Sequence, residues 1–168
     1  MTVREATPKD AEAIARVFAA VAEEGMLAAE PPVDVAARVE RFRALIESYG
    51  PDTLLVLEHG GEIVGHAGIN TTHAEGVLAF GMAILPEARG RSGGRDLLEA
   101  VVEYARSRGA HKVELEVWPG NARAISLYAS AGFEVEGLRR DHYRRRDGSL
   151  RSALLMARGV GRDEPAAQ

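Results

Sequence analysis

The stretch MAILPEARGRSGGRDLL, residues 82–98, decides the reading of this chain: an apolar strand runs into a glycine- and arginine-rich loop that opens directly into an amphipathic helix. Glycine permits φ > 0 and lets backbone N–H groups approach a ligand closely. The first turn of the helix adds unpaired donors at the positive end of its dipole. The junction is therefore a cradle for an anion. Its spacing is not that of a Walker A loop, which needs Lys then Ser/Thr after the last glycine, nor that of GxGxxG, so ATP and NAD are poor candidates.

Working outward, VREAT (3–7) reads as a short first strand. Thr7, Pro8 and Asp10 read as N-cap, first helical residue and N3 partner of a capping box, and Ile14, Val17, Phe18 and Val21 recur at helical spacing up to Gly25. After the irregular link GMLAAEPP, the segment VDVAARVERFRALIESYG predicts a second helix with Val35, Val39, Phe42 and Ile46 on one side, stopped by Gly50 and Pro51. TLLVLE and EIVGHAGIN flank an HGG turn as an antiparallel hairpin over 53–70, and VLAFGMAI (77–84) is the strand that enters the loop.

Downstream, a helix over 93–108 buries Leu97, Leu98, Val101, Val102 and Ala105 and ends at Gly109, and KVELEVW alternates strictly as a strand. NARAISLYASAGF predicts a helix capped by Asn121 and ended by Gly132. EVEGLRR and SALLMAR are two final antiparallel strands joined by a long segment with an Asp147-Gly148 turn. The order β-α-α-β-β-β-α-β-α-β-β implies a single α/β domain over 1–160, with a mixed sheet, helices on both faces and a frayed tail at 161–168.

At 168 residues and 46% hydrophobic content the chain suits one core. It has no cysteine, which excludes thiolate catalysis, disulfides and cysteine-based zinc sites. MTVREATPKD has no apolar h-region, and no run approaches the roughly 18 apolar residues of a membrane span, so neither a signal peptide nor a membrane segment is expected and the cytoplasm is the default location. The net charge of −4 disfavours nucleic acid and weakly suits cationic partners such as amines. Arg139, Arg140, Arg144, Arg145, Arg146 and Arg151 form a cluster read as a solvated hairpin edge that discourages strand aggregation, ahead of an anion contact; only Tyr143 interleaves it, which argues further against nucleic acid. His59, His66 and His111 are scattered without an acidic partner at ligand spacing, so no metal is expected.

The glycine loop resembles the acetyl-CoA loop of the GNAT N-acetyltransferases. That family's pattern, Arg/Gln-x-x-Gly-x-Gly/Ala, falls on Arg89, Gly90, Arg91, Ser92, Gly93 and Gly94, with Ser92 where glycine is usual. The resemblance covers nearly the whole chain in element order and is specific in residues from about Met82 to Phe133. It implies the acyl-CoA N-acyltransferase fold, with a mostly antiparallel central sheet, and acetyl-CoA as cosubstrate. By resemblance, the main chain of Met82, Ala83 and Ile84 bonds the acetyl carbonyl and pantetheine, and Gly90, Arg91, Ser92, Gly93, Gly94 and Arg95 hold the pyrophosphate. Ser92 must keep φ < 0 or accept strain, and is expected to be tolerated.

Asn121 and Tyr128 stand seven residues apart, which returns a helix to within about 20° of its start, so both project from one face. By resemblance Asn121 contacts the cofactor arm, while Tyr128 protonates the departing thiolate or holds a water beside the sulfur. Each also has an ordinary explanation, Asn121 as an N-cap and Tyr128 as a core residue.

An ammonium must lose its proton before it attacks a thioester, to Glu30, His73, Glu75, Glu114, Glu116 or a positioned water. Without cysteine, direct attack in a ternary complex is favoured over an acetyl-enzyme, although Ser and Lys nucleophiles stay open. The resemblance implies transfer of acetyl to a primary amine, with small molecules such as amino-acid analogues (phosphinothricin among them) or polyamines ahead of protein N-termini. The alternatives are a ribosomal-protein-like N-terminal acetyltransferase and a non-catalytic acyl-CoA binding or sensor module. It also places the acceptor pocket at GMLAAEPP, the second helix and RDHYRRRDGSL, and allows a homodimer through the last strands.

Overall fold

The structure, a computed structural model, describes residues 1–48 and 50–160; the expected frayed tail, 161–168, lies outside the described residues. Strands β1 (Thr2–Glu5), β2 (Thr53–His59), β3 (Glu62–Thr71), β4 (Val77–Ile84), β5 (Lys112–Val117), β6 (Glu134–Arg144) and β7 (Leu150–Gly159) form one sheet in the order β1-β2-β3-β4-β5-β7-β6. Neighbouring strands run antiparallel except β4 and β5, which are parallel. Helices α1 (Ala11–Ala22) and α2 (Val35–Glu47) cover one face, and α3 (Gly93–Ser107) and α4 (Ala122–Ser130) the other.

The period-2 alternation of β2 explains the two layers. Leu54 and Val56 pack with Ile14, Ala15 and Phe42 under α1 and α2, while Leu55 and Leu57 point the other way, toward Leu97 and Val101 of α3. Each such buried side chain contributes about 1.5–3 kcal/mol relative to exposure. Between β2 and β3 the chain reverses on Gly60 and Gly61, both at positive φ (61° and 85°), as a two-residue hairpin turn requires.

The capping box forms, although it opens a 3-10 turn over Pro8–Asp10 before α1 begins at Ala11. The Asp10 carboxylate accepts from the Thr7 amide at 2.7 Å, the Thr7 hydroxyl at 2.8 Å and Arg4 at 2.8 Å. Arg4 first of all holds that carboxyl well below the usual carboxylate range. Asp34 caps α2 through the Ala37 amide at 3.0 Å.

The last hairpin corrects the sequence reading. β6 extends to Arg144 and β7 starts at Leu150, so most of the expected long connection is strand. Its register shifts between Arg139 and Tyr143, around Asp141 at φ 50°. β6 is an edge strand exposed along nearly its whole length, and so carries no apolar alternation to read.

One irregularity positions the site. β4 and β5 pair only where Val77–Ala79 meets Lys112–Glu114, and beyond that point they splay apart. Phe80–Ile84 therefore keeps β3 on one side and, among the described residues, has no strand on the other.

Candidate active site

The splay opens a cavity of about 1270 Å³, larger than the roughly 300–1,000 Å³ of a pocket for one small ligand. Met82, Ala83 and Ile84 line it with the free edge of β4, and Arg89, Gly90, Ser92, Gly94 and Arg95 line it from the loop. Arg91 and Gly93 lie outside the lining. A Cβ on Gly93 would fall 2.5 Å from the Met1 sulfur and 2.8 Å from Leu57 Cδ2, so this glycine lets α3 seat against the sheet.

The amides from Gly90 to Gly94 find no acceptor among the described residues, and the following ones, Arg95 and Asp96, bond back to the Ser92 carbonyl at 2.7 and 3.0 Å. A run of unpaired donors at a helix start is an anion site. Ser92 has φ 66° and ψ −24°, so it holds the left-handed conformation that glycine would take there, and its hydroxyl donates to Asp96 at 2.9 Å. The Arg89 guanidinium is committed within the protein: Nε donates to the Ile84 carbonyl at 2.8 Å, and the two amino groups clasp Glu24 at 2.7 and 2.6 Å. That bond first of all lowers the pKa of Glu24. Arg89 thus ties the loop to the end of α1.

Tyr128 and Asn121 both line the cavity, as their seven-residue spacing implies. Asn121 is also the N-cap of α4, its Oδ1 accepting from the Ala124 amide at 3.2 Å. The Tyr128 ring packs edge-on to Phe80, with centroids 6.1 Å apart, and against Phe133 at 6.0 Å. Its hydroxyl bonds to none of the described residues, and burial pushes the phenol well above its ordinary pKa.

Of the base candidates, Glu116 lines the cavity; Glu30, His73, Glu75 and Glu114 do not. The Glu116 carboxylate accepts from the Tyr143 hydroxyl and, at 2.8 Å, from Arg139. Burial first, and Glu116 second, pushes Tyr143 up to about 12. Glu30 instead takes the Arg146 amide at 3.1 Å on each oxygen and stands 3.6 Å from Arg145 Nε.

Only part of the arginine cluster is a solvated edge: Arg139, Arg140 and Arg144 lie exposed on the edge strand β6, while the other three reach back to the chain between α1 and α2. Arg145 is 9% exposed and donates to the Ala28 carbonyl at 2.8 Å, Arg146 donates to Pro31 O at 2.9 Å, and Arg151 to Gly25 O at 2.8 Å. Together they strap the link between α1 and α2 to the final hairpin. The guanidinium carbons of Arg145 and Arg151 each lie 5.8 Å from the Trp118 ring centroid, and Trp118 lines the cavity with its buried Nε1 unpartnered among the described residues.

Sequence reading missed Trp118, Arg38 and His66. Ring packing of His66 against Phe18 (6.0 Å) and Phe42 (5.6 Å) buries it, lowering its pKa to about 4, with Arg38 adding to the effect. Only the alternation His66, Gly68, Asn70 along β3, polar or bare where the neighbouring positions are apolar, pointed that way. No group of His, Asp or Glu suited to a metal occurs among the described residues.

Residues 19–133 match the acetyltransferase (GNAT) family. The chain belongs to that family. It is 31% identical over 112 residues to an L-methionine sulfoximine/L-methionine sulfone acetyltransferase of Pseudomonas paraeruginosa, a match covering 64% of either chain and so less than two thirds of that relative's length. Among solved structures, a ribosomal-protein-alanine N-acetyltransferase from Brucella melitensis superimposes with TM-score 0.83 at 26% identity, over 95% of this chain and 100% of that one. A phosphinothricin acetyltransferase from Sinorhizobium meliloti, solved with acetyl-CoA, shares the fold with TM-score 0.81 at 22% identity, over 99% and 91% of the two chains.

Proposed function

We propose that this member of the GNAT family transfers acetyl from acetyl-CoA to the primary amine of a small molecule by direct attack in a ternary complex. The observation that carries the reading is convergence: Glu116, Tyr128, the bare edge of β4 and three residues of the glycine loop with unpaired amides, Gly90, Ser92 and Gly94, all line one cavity. Acetyl-CoA brings a pyrophosphate and an amide-bearing arm, and an anion cradle beside an open strand edge fits both. Gly90, Ser92 and Gly94 would hold the pyrophosphate through their amides and Arg95 through its charge. Met82, Ala83 and Ile84 would take the arm, and Asn121 would contact it from the start of α4. The cavity volume leaves room for an acceptor beside the cosubstrate.

In this scheme Glu116 takes the proton that the ammonium must lose, its carboxylate held by Arg139 and Tyr143. The amine nitrogen then bonds to the acetyl carbon as the carbon–sulfur bond breaks. Tyr128 faces the sulfur. Its burial keeps the phenol protonated, so it donates a hydrogen bond as negative charge builds on the thiolate. A protein N-terminus as acceptor is the second reading, favoured by the likeness to the Brucella protein.

Calorimetric binding of acetyl-CoA, with thiol release measured against amines, amino acids, polyamines and N-terminal peptides, tests the scheme. Binding with turnover on a small amine is expected. Turnover on peptides alone would favour the second reading, and binding with no turnover on any acceptor would leave an acyl-CoA sensor. Glu116→Gln is expected to lower kcat by about 100-fold while leaving acetyl-CoA binding intact.

A further inference from the structure

The cavity reaches beyond what a thioester needs. Its second half lies over the α1/α2 face of the sheet, where His66, Gly68 and Asn70 of β3 line it in alternation. Gly68 is the register partner of Gly81 on β4. A Cβ on Gly81 would meet nothing within 4 Å, and one on Gly68 only a Leu54 methyl at 3.5 Å. Two facing glycines thus leave a hollow in a sheet face that a helical layer would ordinarily fill.

The polar groups around the hollow are out of balance. His66 is 4% exposed, yet neither Nδ1 nor Nε2 has a partner among the described residues, so a neutral imidazole presents one donor and one acceptor that none of them meets. Arg38 and Arg41 of α2 line the same half, and neither forms an ion pair among the described residues. The Arg38 guanidinium carbon stacks 4.2 Å from the Phe18 ring centroid, which fixes the plane of the group. The acids that share the cavity are engaged elsewhere. Glu24 is held by Arg89, Glu116 by Arg139, and Asp52 accepts from the Thr71 amide at 2.7 Å and hydroxyl at 2.9 Å.

Two neighbouring guanidiniums without a counter-charge would repel a bare ammonium and attract an anion. We infer that the acceptor is an amino acid, an amine that carries its own carboxylate: Arg38 and Arg41 take the carboxylate, and the rest of the molecule lies in the hollow over Gly68 and Gly81 within reach of His66. The inference rests on the acetyltransferase reading and narrows it. Polyamines lack the anion, and a peptide N-terminus has its α-carboxylate converted to an amide.

Matched acceptors test this on the wild-type protein. Thiol release from acetyl-CoA is measured with L-methionine and L-methioninamide, L-phenylalanine and its amide, 5-aminopentanoate and pentylamine, and spermidine. The carboxylate member of at least one pair is expected to show kcat/KM higher by about tenfold or more, as charge-assisted bonds allow. Arg38→Gln and Arg41→Gln are expected to bring the pair toward parity through KM, with acetyl-CoA affinity unchanged. Turnover that favours the amides, the plain amine or spermidine would overturn the inference and leave the acetyltransferase reading standing; failure of acetyl-CoA to bind would overturn both. Where no pair turns over, calorimetry with the same pairs on the CoA-saturated protein decides: selective binding of the carboxylate member supports the inference, and equal or absent binding overturns it.

Discussion

Ser92 shows at the scale of one residue how a departure from glycine is absorbed. Its φ of 66° lies where an L side chain is strained by about 1–2 kcal/mol, and its exposed bond to Asp96 offsets only part of that. Ser92→Gly is therefore expected to raise stability by up to about 1 kcal/mol in a denaturant titration without weakening acetyl-CoA binding; a tenfold loss of affinity would instead assign the hydroxyl to the ligand. His66 carries a pH signature. Its folded pKa of about 4 lies below the ordinary value near 6.5, so between these the unfolded chain binds the extra proton and stability falls as pH drops, by up to roughly 3 kcal/mol in all. Asp10 and Glu24 act in the same direction only below their ordinary values of 3.8 and 4.5. His66→Gln is expected to flatten the change in Tm between pH 7 and pH 5. Sequence reading dismissed this histidine because imidazole chemistry is legible only through partners, and its neighbours Phe18 and Phe42 come from distant helices.

Elements with at least one buried face were legible, and the exposed edge was not. The apolar stripe of α3 and the Gly60-Gly61 turn follow from periodicity and backbone freedom alone. The ends of β6 and β7 do not, because an exposed edge strand crowded with arginine imposes no alternation. The same crowding hid the strap, since nothing local says that Arg145, Arg146 and Arg151 reach back to the link over Gly25–Pro31. Arg145→Ala is expected to loosen that link and raise the acceptor's KM several-fold while acetyl-CoA affinity, set on the far side of the cavity, holds. Gly93→Ala is expected to cost about 1–3 kcal/mol in Tm or denaturant measurements, because the new methyl meets Leu57, which is itself fully buried.

Across the whole molecule the determining feature is the parting of β4 from β5 after Ala79, which places a strand edge, a helix N-terminus and two sets of side chains around one space. A mixed sheet was implied by the alternation of strands and helices, and the loop and Tyr128 were legible as motif residues. The splay itself depends on where pairing stops, and no local pattern reports that. In the proposed scheme the same geometry separates two tasks: the α3/α4 side carries the glycine loop for the cosubstrate, and the α1/α2 side carries His66, Arg38 and Arg41 for the acceptor. Tyr128 lines the cavity from α4, on the first of these sides. The direct test is Tyr128→Phe, measured for acetyl-CoA binding by calorimetry and for thiol release with an acceptor that the wild-type protein turns over. Transfer across the splay requires kcat to fall by about 10- to 100-fold with acetyl-CoA affinity unchanged. Undiminished turnover would contradict the role of Tyr128 and with it this account of the site.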